Sequence, residues 1–306
     1  MTDFRVFPIK PNAKVTIRFD RDDFYEVPKI LATCLNSMEI DRTDFYYVAA
    51  GSLDLPKLTL KTMALSETGD DVELTLGSAS YYDIFYTHNS PDLVLSTQQA
   101  TERFQKVTLR ELFGDSLSRY YRKQELHLRK EGKLTMSPLL PNPVGVSGIV
   151  IGECGGRSWV LMRRRRNDEI AEKGMLEWSF AGLIESTDWF HHSKIPFHKF
   201  AEAEFLDEIP DSVIAEVGNY YRFEPIGVVL SALVLYQPEF FVTVRCAFAD
   251  PSFAATDPES TTGYFKWIPI EELEGMFRDE NSCKYLCKPG LELLRAARPE
   301  LFNFHN

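Results

Sequence analysis

Residues 14–20, Lys-Val-Thr-Ile-Arg-Phe-Asp, alternate apolar and polar side chains, a period of two that predicts a half-buried strand. From Asp22 to Met38 the spacing changes. Val27, Ile30, Leu31, Cys34, Leu35 and Met38 recur three and four residues apart, which predicts a helix. Strand-like runs follow at 45–50, 57–65 and 72–76, and Gly69-Asp70-Asp71 supplies turn residues that make the last two a hairpin. Between Val107 and Lys130 the pattern is helical again and strongly charged. Ser137-Pro138-Leu139-Leu140-Pro141-Asn142-Pro143 then sets three prolines within six residues, which neither a helix nor a central strand accommodates. Residues 1–138 are therefore read as an N-terminal α+β domain and residues 139–306 as a second one.

In the second region, strands are predicted at 144–151 and 159–162 around the turn Gly152-Glu153-Cys154-Gly155-Gly156. Further strands fit 176–184, 225–235 and 240–248, and helices fit 196–209, 270–278 and 289–297, an α+β pattern. The stretch Trp178-Ser179-Phe180-Ala181-Gly182-Leu183-Ile184-Glu185 reads as a strand carrying a glycine, followed by a polar loop with Asp188, His191 and His192. Pro196 fits the first turn of the next helix, and Pro210 ends it. Within that helix Ala201, Phe205 and Ile209 form an apolar stripe, while Glu204, Asp207 and Glu208 gather three and four residues apart. Like charges at this spacing repel, and the helix C-terminus opposes negative charge as well. The cluster is either a solvated acidic face or a set of hard oxygen ligands for a divalent cation such as Mg²⁺ or Mn²⁺.

The chain has 34 basic and 45 acidic residues, a net charge of −11. That balance argues against stable binding of nucleic acid, which needs clustered cations against phosphate. It leaves room for a nucleotide-sized ligand whose charge a metal ion meets. No apolar run approaches the ~18 residues that span a bilayer. The first residues, Met1-Thr2-Asp3-Phe4-Arg5, carry no apolar leader, so a cytoplasmic protein without a membrane segment is expected. Five scattered cysteines fit a reduced compartment, and Cys283 and Cys287 are read as neighbours on one helix rather than a zinc pair. Nothing in the pattern fixes an oligomeric state. Arg163, Arg164, Arg165 and Arg166 are a basic run in an acidic chain. Strand alternation sends Arg163 and Arg165 to one face and Arg164 and Arg166 to the other, so one pair can meet phosphates while pairing with Asp168 and Glu169 is the plainer reading. His191, His192 and His198 are expected to be solvent-exposed.

Gly182, Asp188, Glu204, Asp207 and Glu208 together resemble the signature of the Nudix hydrolase family. That signature is a glycine, five residues, Glu, seven residues, then Arg-Glu-apolar-x-Glu-Glu-x-Gly-apolar. Here Asp188 stands for the first Glu and fourteen residues separate it from Ala203, which replaces the arginine that orients the helix carboxylates. Pro210 and Asp211 replace the closing glycine and apolar residue. Outside the box, Asn142-Pro143-Val144-Gly145-Val146-Ser147, Val160-Leu161-Met162-Arg163-Arg164 and Tyr236-Gln237-Pro238-Glu239-Phe240-Phe241 resemble strands of an extended subgroup similar to nucleotide-sugar diphosphatases. Tyr82-Asp83-Ile84-Phe85-Tyr86-Thr87-His88-Asn89 resembles a segment of its N-terminal region, and Phe265-Lys266-Trp267-Ile268-Pro269 with Glu271-Glu272-Leu273 resembles the closing strand and helix.

The resemblance implies a mixed sheet sandwiched between helices, preceded by the additional N-terminal α+β domain. It also implies Mg²⁺- or Mn²⁺-dependent hydrolysis of the pyrophosphate of a nucleoside diphosphate linked to another moiety, with a nucleotide sugar as first candidate. By the same match Glu204, Asp207, Glu208 and the carbonyl of Ala181 would hold the metal, with Asp188 supporting the shell through water. Glu204, Glu208 or Glu259 would take the proton of the attacking water, and Arg163 and Arg165 would meet substrate phosphates. Ala203 and the altered box ending also suit a Nudix-fold module that binds a nucleotide for regulation without turning it over. A third reading is a protein–protein module whose acidic helix is incidental.

Overall fold

The computed structural model describes residues 4–28, 57–80, 84, 87–88, 92, 94–98, 104–165, 174–184, 194–217, 222–246, 249–250, 252–256, 264–278 and 283–302. In chain order the strands are β1 (Phe4–Pro8), β2 (Lys14–Phe24), β3 (Lys57–Leu65), β4 (Asp71–Ala79), β5 (Val94–Gln98), β6 (Phe104–Thr108), β7 (Lys133–Thr135) and β8 (Gly145–Cys154). They continue as β9 (Arg157–Arg164), β10 (Leu176–Glu177), β11 (Phe180–Leu183), β12 (Lys194–Pro196), β13 (Arg222–Ser231), β14 (Gln237–Arg245), β15 (Ala254–Thr256) and β16 (Tyr264–Pro269). The helices are α1 (Leu109–Glu131), α2 (His198–Glu208), α3 (Asp211–Val217), α4 (Ile270–Met276) and α5 (Cys287–Ala297). No helix among the described residues is long and apolar enough to cross a membrane.

A nine-stranded sheet runs in the order β1-β13-β14-β8-β9-β16-β15, with β10 on β9 and β11 on β8. Its pairs are antiparallel except for β14 and β8. Side chains alternate between its two faces, and both are apolar. Val146, Val150, Leu161, Phe240 and Val242 pack with Phe200, Ala201 and Phe205 of α2. Ile149, Ile151, Val160, Met162 and Phe241 pack instead with Leu291 and Leu294 of α5 and Leu273 of α4. The sheet is thus buried between helices, a mixed α+β arrangement. A second sheet, β12-β2-β4-β3-β7, and the ribbon β5-β6 complete the strands.

Chain from before and after residue 138 meets in both large sheets. β1 pairs with β13, Phe4 opposite Ser231, and β12 pairs with β2, Ile195 opposite Ile17. One apolar core contains Ile17, Leu60, Leu74 and Tyr121 together with Phe180, Phe200 and Phe240.

Several elements end where local chemistry dictates. Thr108 accepts from the N–H of Glu111 while the Glu111 carboxylate accepts from the N–H of Thr108, a capping box that starts α1 two residues after the pattern suggested. The strand predicted at 14–20 runs on through Phe24, so Asp22 to Phe24 are strand rather than the start of a helix, and the rest of that helix past residue 28, with the strand at 45–50, lies outside the described residues. Pro196 closes β12 opposite Thr16 instead of opening α2, because a short edge strand tolerates the missing N–H. The strand at 176–184 divides at Trp178-Ser179. There the Ser179 hydroxyl donates to the Leu161 carbonyl (2.6 Å) and accepts from the Val150 N–H (2.8 Å), replacing ladder bonds with a side chain. Cys283 bridges to Leu176 and Cys287 begins α5, so the two thiols do not share a helix as their spacing suggested.

The proline segment is tied down by a fully buried histidine. His88 donates from Nδ1 to the Val234 carbonyl (2.7 Å) and accepts at Nε2 from the Asn142 N–H (3.2 Å). Asn142 has φ of 53°, and its side-chain amide donates to the carbonyls of Ser137 and Leu140, both at 2.7 Å. A proton on Nε2 would face an N–H donor. Burial, opposed by the bond to Val234, holds the ring's pKa down to about 4 from 6.5. The unfolded chain takes up the proton near pH 6.5 and the folded chain does not, so stability should fall as pH drops from there, by ~3 kcal/mol at pH 4. Urea unfolding across that range checks it, with His88→Gln giving a flatter profile.

Candidate functional site

β11 lies antiparallel on β8 with Gly182 opposite Val146, and the chain returns through β12 into α2. Phe205 meets Phe180 edge to face at 5.6 Å, which seats α2 across the end of β11. Ala201, Phe205 and Ile209 are all buried, the stripe that the sequence placed there. With the stripe inward, Glu204 is carried onto the strand. A Cβ built on Gly182 would lie 2.0 Å from Glu204 Oε2, so only glycine lets the carboxylate rest against this backbone, beside half-buried Ala181. One turn later Glu208 Oε2 accepts from Arg163 Nη1 of β9 at 2.6 Å. Asp207 is exposed between them.

Arg163 and Arg165 share a face, as alternation requires, and that face is the one under α2. Both reach a carboxylate absent from the sequence reading, Glu177, whose side chain is 2% exposed. Arg165 Nη1 stands 2.9 Å from Glu177 Oε2, Lys284 Nζ 3.5 Å from the same oxygen, and Arg163 Nε 3.7 Å from Oε1. Burial works against the Glu177 anion, but Lys284, Arg165 and Arg163 outweigh it and hold the carboxyl below its ordinary range. Burial raises Glu208 instead, against the pull of Arg163 and with help from Glu177 and Asp207. Arg164 points away, its Nε donating to the Gly174 carbonyl at 3.0 Å.

Glu177 was missed because a charge inside Met175-Leu176-Glu177-Trp178 reads as an exposed strand position, and nothing local ties Lys284 to it across the intervening chain. The available signal was the register, which sets Glu177 opposite Arg163. Asp188, His191, His192, Glu259, Arg166, Asp168 and Glu169 lie outside the described residues. His198 is exposed at the start of α2.

The donor set, carboxylates and a strand-end carbonyl, suits a hard divalent cation. Glu204 Oε2 rests against the backbone at Gly182. Glu208 is engaged with Arg163, and among the described residues no three His, Cys, Asp or Glu side chains are grouped tightly enough to hold a metal ion.

No family model and no curated protein matches this chain. Among solved structures, the crystal structure of a Nudix hydrolase from M. smegmatis, RenU, is similar over 52% of this chain and 88% of that one, at 12% identity and a TM-score of 0.32. A likeness that slight assigns neither family nor activity.

Proposed function

We propose that the protein is a divalent-cation-dependent hydrolase of the Nudix kind, cleaving the pyrophosphate of a nucleoside diphosphate linked to another moiety, with a nucleotide sugar as the leading substrate. The observation that supports this most is the contact of Glu204 with the backbone at Gly182, a helix carboxylate laid onto the strand that precedes its loop. In this reading Glu204, Asp207, Glu208 and the Ala181 carbonyl hold Mg²⁺ or Mn²⁺. The ion, when bound, neutralises the pyrophosphate and acidifies water. Glu208, whose carboxyl burial holds above the ordinary range, is suited to accept a proton, as is Glu259. Arg163 fixes Glu208, and in this reading Arg165, paired with Glu177 on the same face, would meet substrate phosphates with the rest of its guanidinium.

A second reading is a nucleotide-binding or regulatory module of the same fold without turnover. The tie between Glu208 and Arg163 favours it, since one acid of the box is already engaged by a cation. A screen of nucleotide sugars, dinucleotides and nucleoside triphosphates, with Mg²⁺ and with Mn²⁺, decides between them. Cation-dependent appearance of nucleoside monophosphate supports the hydrolase. Calorimetric binding of a nucleotide with no product across the panel supports the module, and neither binding nor product sinks both.

A further inference from the structure

α1 is secured at both ends and along one side. The Thr108–Glu111 capping box starts it, Gly132 ends it with its N–H on the Leu128 carbonyl, and Leu109, Phe113, Leu117, Tyr121 and Leu128 are buried. The opposite face is exposed at Leu112, Ser116, Arg119, Lys123, Leu126 and Lys130. These positions alternate by four and three residues, the spacing at which one helix packs its side chains into another. The seam carries two exposed leucines, Leu112 and Leu126, with cations between and beyond them. Exposed Arg122 flanks it, beside a concavity of about 310 Å³ lined by Asp115, Ser118, Arg119 and Arg122.

Arg119, Arg122, Lys123 and Lys130 make no ion pair with any described residue, and Arg119 donates to the backbone carbonyl of Asp115. Exposed arginines elsewhere do find acids: Arg18, Arg222, Arg245 and Arg295 each have a carboxylate oxygen within 3.3 Å. In a chain with 45 acidic and 34 basic residues, a cation without an acid is therefore notable, and four on one helix face form a positive patch. The helix C-terminus favours Lys130, but its field fades within the last turn and does not reach Arg119, Arg122 or Lys123. Arg119 is also repelled by Arg122 and Lys123, three and four residues on.

We propose that this face of α1 is a docking seam for an acidic amphipathic helix of a partner protein. Two apolar side chains of the partner would cover Leu112 and Leu126, about 21 Å apart along the axis, and its Asp or Glu side chains would meet Arg119, Lys123 and Lys130. A nucleic-acid backbone offers charge for the cations but nothing to cover the leucines, and a net charge of −11 opposes so dense a polyanion. An anionic bilayer takes up a helix through a broad apolar face, and that face of α1 is packed in the core. The proposal uses none of the acids of α2, so it stands whether or not a cation binds there.

The probe is a labelled synthetic helix of about 24 residues with Leu and Glu alternating at four-and-three spacing, titrated with the full chain by fluorescence anisotropy. Its comparators are a scrambled peptide of the same composition and a version with Lys for every Glu. The patterned acidic helix should bind at least about tenfold tighter than the scrambled one, and the Lys version should not bind. Arg119→Glu with Lys123→Glu changes two exposed side chains, so melting should hold while affinity for the acidic helix falls at least about tenfold and the Lys version now binds. Leu126→Ser keeps every charge and should weaken binding about tenfold at unchanged salt dependence. No binding of the patterned helix, equal affinity for the scrambled one, or wild-type affinity in the folded double variant would overturn the proposal. So would tighter binding, lost in that double variant, of a single-stranded oligonucleotide or of phosphatidylserine vesicles. Self-association of the chain in sedimentation that the double variant abolishes would overturn it too, in favour of a second copy.

Discussion

Glu204→Gln is expected to lower cation-dependent turnover by at least about a hundredfold, roughly 3 kcal/mol of barrier, while the melting temperature stays close to that of the wild type. The amide has the shape of the carboxylate, so the seat against Gly182 survives and only the charge is lost. Gly182→Ala makes the complementary change. Its methyl would fall 2.0 Å from Glu204 Oε2, the far end of a flexible side chain, so the carboxylate swings away at small cost to the fold. Turnover should drop in both variants, with nucleoside monophosphate release as the readout and thermal melts as the control. A Gly182→Ala protein that melts normally and turns over like wild type would show that Glu204 has no role at this strand end.

The second large effect is on stability. Glu177→Ala is expected to cost ~3–5 kcal/mol at neutral pH, because it leaves Arg163, Arg165 and Lys284 crowded together in a mostly buried site without their shared anion. The pH dependence has a definite sign. A carboxyl held below its ordinary 4.5 stabilises the fold in full above that value, and the contribution fades as pH falls past it through the lowered folded value. The gap between wild type and Glu177→Ala in denaturant unfolding should therefore be widest near pH 7 and shrink below about pH 4.5.

What was legible in the chain is what short-range spacing controls. The alternation at 14–20, the β3–β4 hairpin around Gly69 and the buried stripe of Ala201, Phe205 and Ile209 are each set by residues within a turn or two of one another. Gly182 and Glu204 could be named from their residue types, but not the contact between them, which depends on how α2 crosses β11. Alternation placed Arg163 and Arg165 together, yet which face they took is a property of the assembled sheet. Pairings such as β1 with β13 and β12 with β2 leave no local trace, and Pro196 looked like a helix opener until Thr16 was found opposite it. Glu177 was hidden for the same reason: its three cations come from two distant parts of the chain.

The alignment of Phe4 with Ser231 has a consequence for synthesis. On a ribosome working from the first residue onward, β3 and β4 can zip together soon after they emerge. β1 must wait until some two hundred residues later, when β13 has been made, before its backbone finds a partner. Throughout that interval its N–H and C=O groups form an open ribbon edge, able to pair with another nascent chain. The contact that begins at the fourth residue would then close only once the chain has been made through Ser231.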